Sequence, residues 1–180
     1  MQALIHYQRW LFAAGVIFCL ALLGAALYFQ HVMGLEPCPL CIFQRIFVMV
    51  LGAVMLAAAI QQPRDLGRRV YGGLILIIAG LGAGVAGRHV WLQSLPPDQV
   101  PACGPGLEYL FETFPLMDAL KLVLEGSGEC AEVQWSLLGL SIPGWTLVVF
   151  TALAVFGLLL LFARATQGVS PAPRADPRFR

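Results

Sequence analysis

Four stretches of the chain, Trp10–Phe29, Ile42–Ile60, Val70–Trp91 and Trp145–Phe162, are almost unbroken in apolar residues, and polar residues gather between them. Each is long enough to cross ~30 Å of hydrocarbon as a helix, and none carries a run of charge at its centre. The first exceeds the ~7–15 apolar residues of a secretory signal and is followed closely by a second, so it reads as a retained span. The segments Gln61–Arg69 and Gln30–Cys41 are short, which forces consecutive spans to lie antiparallel. The pattern therefore predicts an all-α membrane protein. Its architecture is a four-transmembrane-helix antiparallel bundle over 10–29, 42–60, 70–91 and 145–162, forming one integral membrane domain across 1–180.

The segment 92–143 is too long for a connector and is itself patterned. Leu107, Leu110, Phe111 and Phe114, then Leu116, Leu120, Val123 and Leu124, recur at helical spacing with acids between them. Two short amphipathic helices parted at Pro115 are expected, lying on the membrane surface or folded over the bundle mouth. Gly72, Gly73, Gly80, Gly82, Gly84 and Gly87 crowd the third span, where small residues permit close helix approach. Trp91, Trp135 and Trp145 suit an outer interfacial belt, and Tyr7 and Trp10 an inner one. The last residues, 170–180, contain three prolines among arginines and read as a disordered tail.

Composition narrows the class further. With 59% apolar and 12% charged residues in 180, the chain cannot hide its apolar side chains in one small soluble core. Charge gives the orientation. Arg9, Arg64, Arg68, Arg69, Arg164, Arg174, Arg178 and Arg180 fall on the face holding both termini, against Arg45, Arg88 and Lys121 on the other. Basic residues stay cytoplasmic, so both termini are expected inside and the segments 30–41 and 92–143 outside.

Those outer segments carry the candidate chemistry: Cys38-Pro39-Leu40-Cys41 at the start of the second span, and Cys103 with Cys130 in the long loop. Pro39 suits the first turn of a helix, which puts Cys38 near the N-cap and Cys41 in the first turn. Free backbone N–H groups there favour thiolates. Arg45 lies one turn deeper on the same face as Cys41, an expensive place for a charge and hence a functional candidate. Zinc is disfavoured because Cys103 and Cys130 are widely spaced and no histidine stands at ligand spacing beside them, so no metal is expected. Inert loop disulfides remain open. Cys19, inside the first span, reads as a small apolar packing residue. His89 reads as a hydrogen-bonded structural residue unless something reducible binds near it.

Two dithiol centres suggest electron transfer between them, and the electrons need an acceptor. There is no haem motif, no strand-linked Gly-x-Gly-x-x-Gly and no iron–sulfur cysteine cluster. A lipid-soluble quinone is the economical choice, reaching Cys41 from the bilayer, with Arg45 placed to hydrogen-bond a ring oxygen.

At these residues the sequence resembles the disulfide bond formation protein B family. The resemblance rests on Phe29-Gln30-His31-Val32-Met33, Pro37-Cys38-Pro39-Leu40-Cys41, Arg45, His89 with Leu92-Gln93, and Cys103. It continues through Gly128-Glu129-Cys130-Ala131-Glu132-Val133-Gln134-Trp135, Leu138-Gly139-Leu140 and Pro143. It implies a protein of the bacterial inner membrane that reoxidises a periplasmic DsbA-like thiol oxidase at the expense of ubiquinone or menaquinone. It implies further that Cys103 is attacked by the partner and that Cys130 is its disulfide mate. Cys38 with Cys41 is the quinone-coupled pair, and Arg45, Gln30 and His89 line the quinone pocket. Electrons then pass by a transient Cys130–Cys38 bridge, for which the loop is expected to be mobile. A monomer with no nucleic-acid partner is expected. Departures are Pro-Leu inside the first pair, Phe43-Gln44 where an aromatic and an acid are common, and Gly-Pro-Gly after Cys103.

Two competing classes are an inert scaffold or small transporter, and an oxidoreductase of the vitamin K epoxide reductase type. The latter is expected to carry its Cys-x-x-Cys late in the chain rather than before the second helix.

Overall fold

The computed structural model describes residues 2–101, 112–113 and 115–162, with backbone alone for 2–8 and 119. Four long helices, α1 (Gln2–His31), α2 (Pro39–Gln61), α3 (Asp65–Gln93) and α6 (Ile142–Phe162), are each long and apolar enough to cross a membrane. Between α3 and α6 lie two short helices, α4 (Leu116–Glu125) and α5 (Gly128–Ala131), and a two-strand hairpin of β1 (Ser136–Leu137) and β2 (Leu140–Ser141). The expected first amphipathic helix and Cys103 fall largely outside the described residues, and the 170–180 tail does so entirely.

The helices run past the apolar stretches that predict them. α2 starts at Pro39, where the missing N–H costs nothing, and α3 at Asp65, whose carboxylate suits a helix N-terminus. The loop between them shrinks to residues 62–64, closed by Gln62 in the left-handed region at φ 47°. The hairpin turns through Leu138 and Gly139 at φ 53° and 80°. Both central residues at positive φ mark a type I′ turn, and the leucine at its first position is why the sequence gives little sign of it.

Gly72 and Gly157 bring α3 and α6 into backbone contact. A Cβ on Gly157 would stand 2.7 Å from Leu76 N, and one on Gly72 2.9 Å from Gly157 O. Of the six glycines expected to pack the third span, Gly72 meets this backbone and Gly82 lies under the Phe150 ring. Gly80, Gly84 and Gly87 face open space. The α1–α2 pair meets similarly, Gly15 under Met55 and Gly52 against Cys19, which confirms Cys19 as a packing residue.

The interior has two parts. A central core of Phe12, Val48, Leu51, Met55, Ile75, Ala79 and Phe150 joins the long helices. A smaller one at the loop-bearing end contains Leu40, Val85, Leu92 and Val123 and encloses the sulfurs of Cys38 and Cys130. Val123 docks α4 onto this second core, while Leu116 and Met117 stay exposed. Arg88 holds the other end of α4, donating from Nε to the Leu124 carbonyl and from Nη2 to the Glu125 carbonyl, and its guanidinium lies 4.1 Å over Trp91. Cations at a helix C-terminus satisfy carbonyls that no further turn can reach.

Candidate functional site: two cysteines between a cavity and a loop thiol

Cys38 is the N-cap of α2. Its backbone is extended, and its Sγ accepts the Cys41 N–H at 3.4 Å, with the two sulfurs 3.2 Å apart. The Pro39 ring forces this arrangement, since it excludes helical geometry at the preceding residue. The two sulfurs thus sit on the first turn but look in different directions.

Cys41 lines a cavity of about 340 Å³ between α1, α2 and α6. Its walls are apolar, from Leu22, Ala26, Phe29, Val48, Val149 and Phe150, and Trp135 closes it at the hairpin side. Polar groups are few. Arg45 enters the wall, its Nη1 donating to Gln30 Oε1 at 2.5 Å and its Nη2 to the Ala26 carbonyl at 3.1 Å. Trp135 packs on Phe29 at 5.1 Å, and Trp145 Nε1 donates to the Leu137 carbonyl, which ties the hairpin to α6. Apolar walls with a few polar side chains, Arg45, Glu36, Gln44, Gln134 and Thr146, are the usual makeup of a small-molecule site.

Cys38 faces the opposite way. Its Sγ is 3.7 Å from His89 Nε2, and the two lie with Cys130 Sγ in one cluster whose three atoms are all within 4.8 Å of one another. The other ring nitrogen of His89, Nδ1, meets Gln44 Nε2 at 3.2 Å, and Gln44 Oε1 accepts from Thr146 Oγ1. With the amide so oriented, Gln44 donates to Nδ1, so His89 carries its proton on Nε2 and turns it toward Cys38.

Cys130 is completely buried, on α5. Ser127 Oγ lies 3.8 Å from its sulfur. The hydrogen bond to Cys38, then burial, push the Cys130 thiol well above the usual cysteine range. In this dithiol state it is therefore held as a thiol.

These positions differ from the sequence-based expectation in three respects. Arg45 lines the cavity, but Gln30 and His89 do not; Gln30 holds Arg45, and His89 holds Cys38. A histidine does stand beside Cys38 and Cys130, brought there by α3 from a remote part of the sequence. Finally, Cys130 already packs beside Cys38 in the buried cluster, a contact that the expected loop movement was to bring about. Thr146 escaped the sequence reading and Gln44 entered it only as a departure from the family pattern, although polar side chains inside apolar spans are a usable signal.

Comparison with known proteins fits this geometry. The family model for disulfide bond formation protein DsbB matches residues 8–160. The chain belongs to the DsbB family. Proteins called disulfide bond formation protein B include one from Nitrosococcus oceani, 56% identical over 150 residues, covering 83% of this chain and 89% of the relative. Another from Marinobacter nauticus is 53% identical over 157 residues, 87% and 94% of the two chains. A third from Azoarcus sp. is 48% identical over 167 residues, 93% of this chain and the whole of the relative. The chain is thus an all-α, multi-pass membrane protein of the DsbB family, with oxidoreductase chemistry centred on its cysteines.

Proposed function

We propose that the chain is a thiol:quinone oxidoreductase of the bacterial inner membrane, with both termini cytoplasmic, that reoxidises a periplasmic DsbA-like thiol oxidase. One observation carries this reading: the Cys38–Cys41 pair stands between an apolar cavity, reached by Cys41, and a second cysteine, Cys130, reached by Cys38. A pair that only stabilised the fold would need neither neighbour.

The thiol side follows from exchange chemistry. A partner thiolate attacks the Cys103–Cys130 disulfide at Cys103, and Cys130 leaves as a thiolate. Cys130 then attacks Cys38 Sγ, breaking the Cys38–Cys41 disulfide and releasing Cys41 as a thiolate beside the cavity. The partner's second thiol attacks its own sulfur in the mixed disulfide, so the partner leaves oxidised and Cys103 is freed. Cys103 closes on Cys130 and releases Cys38. The net change moves two electrons from the partner to Cys38 and Cys41.

The cavity suits a quinone. Its apolar walls accept a ring and the start of a prenyl tail, and Arg45, fixed by Gln30 and the Ala26 carbonyl, places a charged donor among them. A quinone bound there would supply the sink for two electrons and two protons. Arg45 would then oppose negative charge developing on the bound group, and Cys41 would present its sulfur to it from the wall.

The decisive experiment separates the halves. In detergent, Cys130→Ser should abolish oxidation of a reduced DsbA-like partner, while Cys38 and Cys41, once chemically reduced, are still reoxidised by ubiquinone. Cys41→Ser should abolish quinone reduction yet oxidise one equivalent of partner. Steady turnover at the native rate in either variant would refute the relay.

A further inference from the structure

Cys38 Sγ, His89 Nε2 and Cys130 Sγ converge in one buried cluster, all three atoms within 4.8 Å of one another. We infer that the fully reduced chain binds a thiophilic divalent cation, zinc above all, through these three atoms.

The geometry fits first. Zn–S of ~2.3 Å and Zn–N of ~2.0 Å imply tetrahedral sulfur-to-nitrogen edges of about 3.5 Å and sulfur-to-sulfur edges of about 3.8 Å. The Cys38–His89 edge already measures 3.7 Å. The other separations lie within 4.8 Å, so the sulfur-to-sulfur edge closes by at most about 1 Å and the Cys130–His89 edge by at most about 1.3 Å, within reach of side-chain rotation. The fourth corner falls to water or to Cys41 Sγ, 3.2 Å from Cys38 Sγ.

The charge balance fits next. Cys38 and Cys130 each lose a proton to solvent on binding, and two thiolates with a neutral imidazole neutralise the cation, which makes burial affordable. A small cleft leads to the cluster, lined by Cys38 and His89 together with Glu36, Glu129 and Glu132. These carboxylates draw cations to its mouth.

The outer shell is also in place. Ligation through Nε2 requires the proton on Nδ1, and Nδ1 faces the Gln44 amide. Turning that amide by half a revolution offers Oε1 to Nδ1–H. It also points the NH2 group at Thr146 Oγ1, which can accept once its single proton turns from Gln44 Oε1 to the Pro143 carbonyl at 2.9 Å. A metal-bound histidine with its second nitrogen held by an amide oxygen is a usual outer-shell arrangement.

The site exists in one redox state. A disulfide between Cys38 and Cys41, or one using Cys130, removes a ligand. A chain whose electrons have nowhere to go therefore becomes a metal trap, and bound zinc blocks the same sulfurs that the exchange requires.

The test uses full-length protein in detergent, reduced with a phosphine, free of quinone and partner, so its outcome is independent of the turnover experiment. Zn²⁺ is competed against a chromophoric chelator, and Co²⁺ serves as the spectroscopic probe. The reduced chain should bind one Zn²⁺ and the doubly disulfide-bonded chain none. Co²⁺ should give thiolate charge-transfer bands and tetrahedral ligand-field bands. Cys130→Ser and His89→Ala should each weaken binding at least tenfold, while Cys19→Ala and Cys103→Ser leave it unchanged. His89→Cys should restore binding with a stronger charge-transfer band, which guards against a misfolded alanine variant. No stoichiometric binding by reduced wild type, or binding indifferent to Cys130→Ser and His89→Ala, would overturn the inference.

Discussion

Gln44 and His89, on neighbouring helices, meet at 3.2 Å between Nε2 and Nδ1, and this contact decides which nitrogen of the imidazole faces Cys38. Removing the amide leaves the ring free to turn and its tautomer unset. Gln44→Leu is expected to slow exchange between Cys130 and the Cys38–Cys41 disulfide by roughly tenfold, about one hydrogen bond's worth. The measurement is single-turnover thiol trapping without quinone, because Gln44 also lines the cavity. An unchanged exchange rate would make the contact merely structural.

In the proposed mechanism Arg45 belongs to the other half of the reaction. Arg45→Ala should weaken apparent quinone affinity or slow its reduction by on the order of 1–3 kcal/mol, with partner oxidation in a single turnover unaffected. Arg45→Lys should not recover the full activity, since one ammonium cannot hold Gln30 Oε1 and the Ala26 carbonyl in the same fork. Gln30→Ala should show a smaller defect in the same step. Steady-state titration with a soluble quinone distinguishes these from a loss common to both half-reactions.

Orientation can be read by labelling spheroplasts with a membrane-impermeant maleimide. A cysteine at Leu138, 85% exposed at the hairpin tip, should label from outside, and one at Gln62 should not. Native Cys130 is a poor reporter because it is fully buried, so slow labelling there says nothing about the side of the membrane. Ready labelling at position 62 would invert the topology.

Gly157→Ala should destabilise the bundle by about 1–3 kcal/mol, because its Cβ meets backbone rather than a side chain that can swing away. Gly80→Ala and Gly84→Ala, which face open space, should be near neutral or slightly stabilising through helix propensity. Unfolding in mixed detergent micelles gives the comparison. Equal effects at all three positions would mean that the α3–α6 contact is not the tight one.

The spans were legible because lipid leaves a helix few alternatives, and Cys38 at the N-cap followed from the proline beside it. What the sequence hides is contact between remote segments. The glycine-rich third span promised six packing sites, yet α6 supplies the decisive glycine, Gly157, which no local pattern singles out. His89 was visible as a polar residue near a helix end, but its position against Cys38 depends on how α2 and α3 cross. Gln44 was noticed as a departure where an acid is common, and its role emerges from the same crossing.

Burial of the sulfurs has a consequence for the surrounding compartment. Cys38 and Cys130 are 6% and 0% exposed, and Cys41 opens onto an apolar cavity. Small water-soluble thiols and disulfides thus meet little cysteine sulfur on the described surface of the molecule. In the proposed relay the described thiols are insulated, and current would flow when a macromolecular partner or a membrane-dissolved acceptor closes the circuit at one of its two ends.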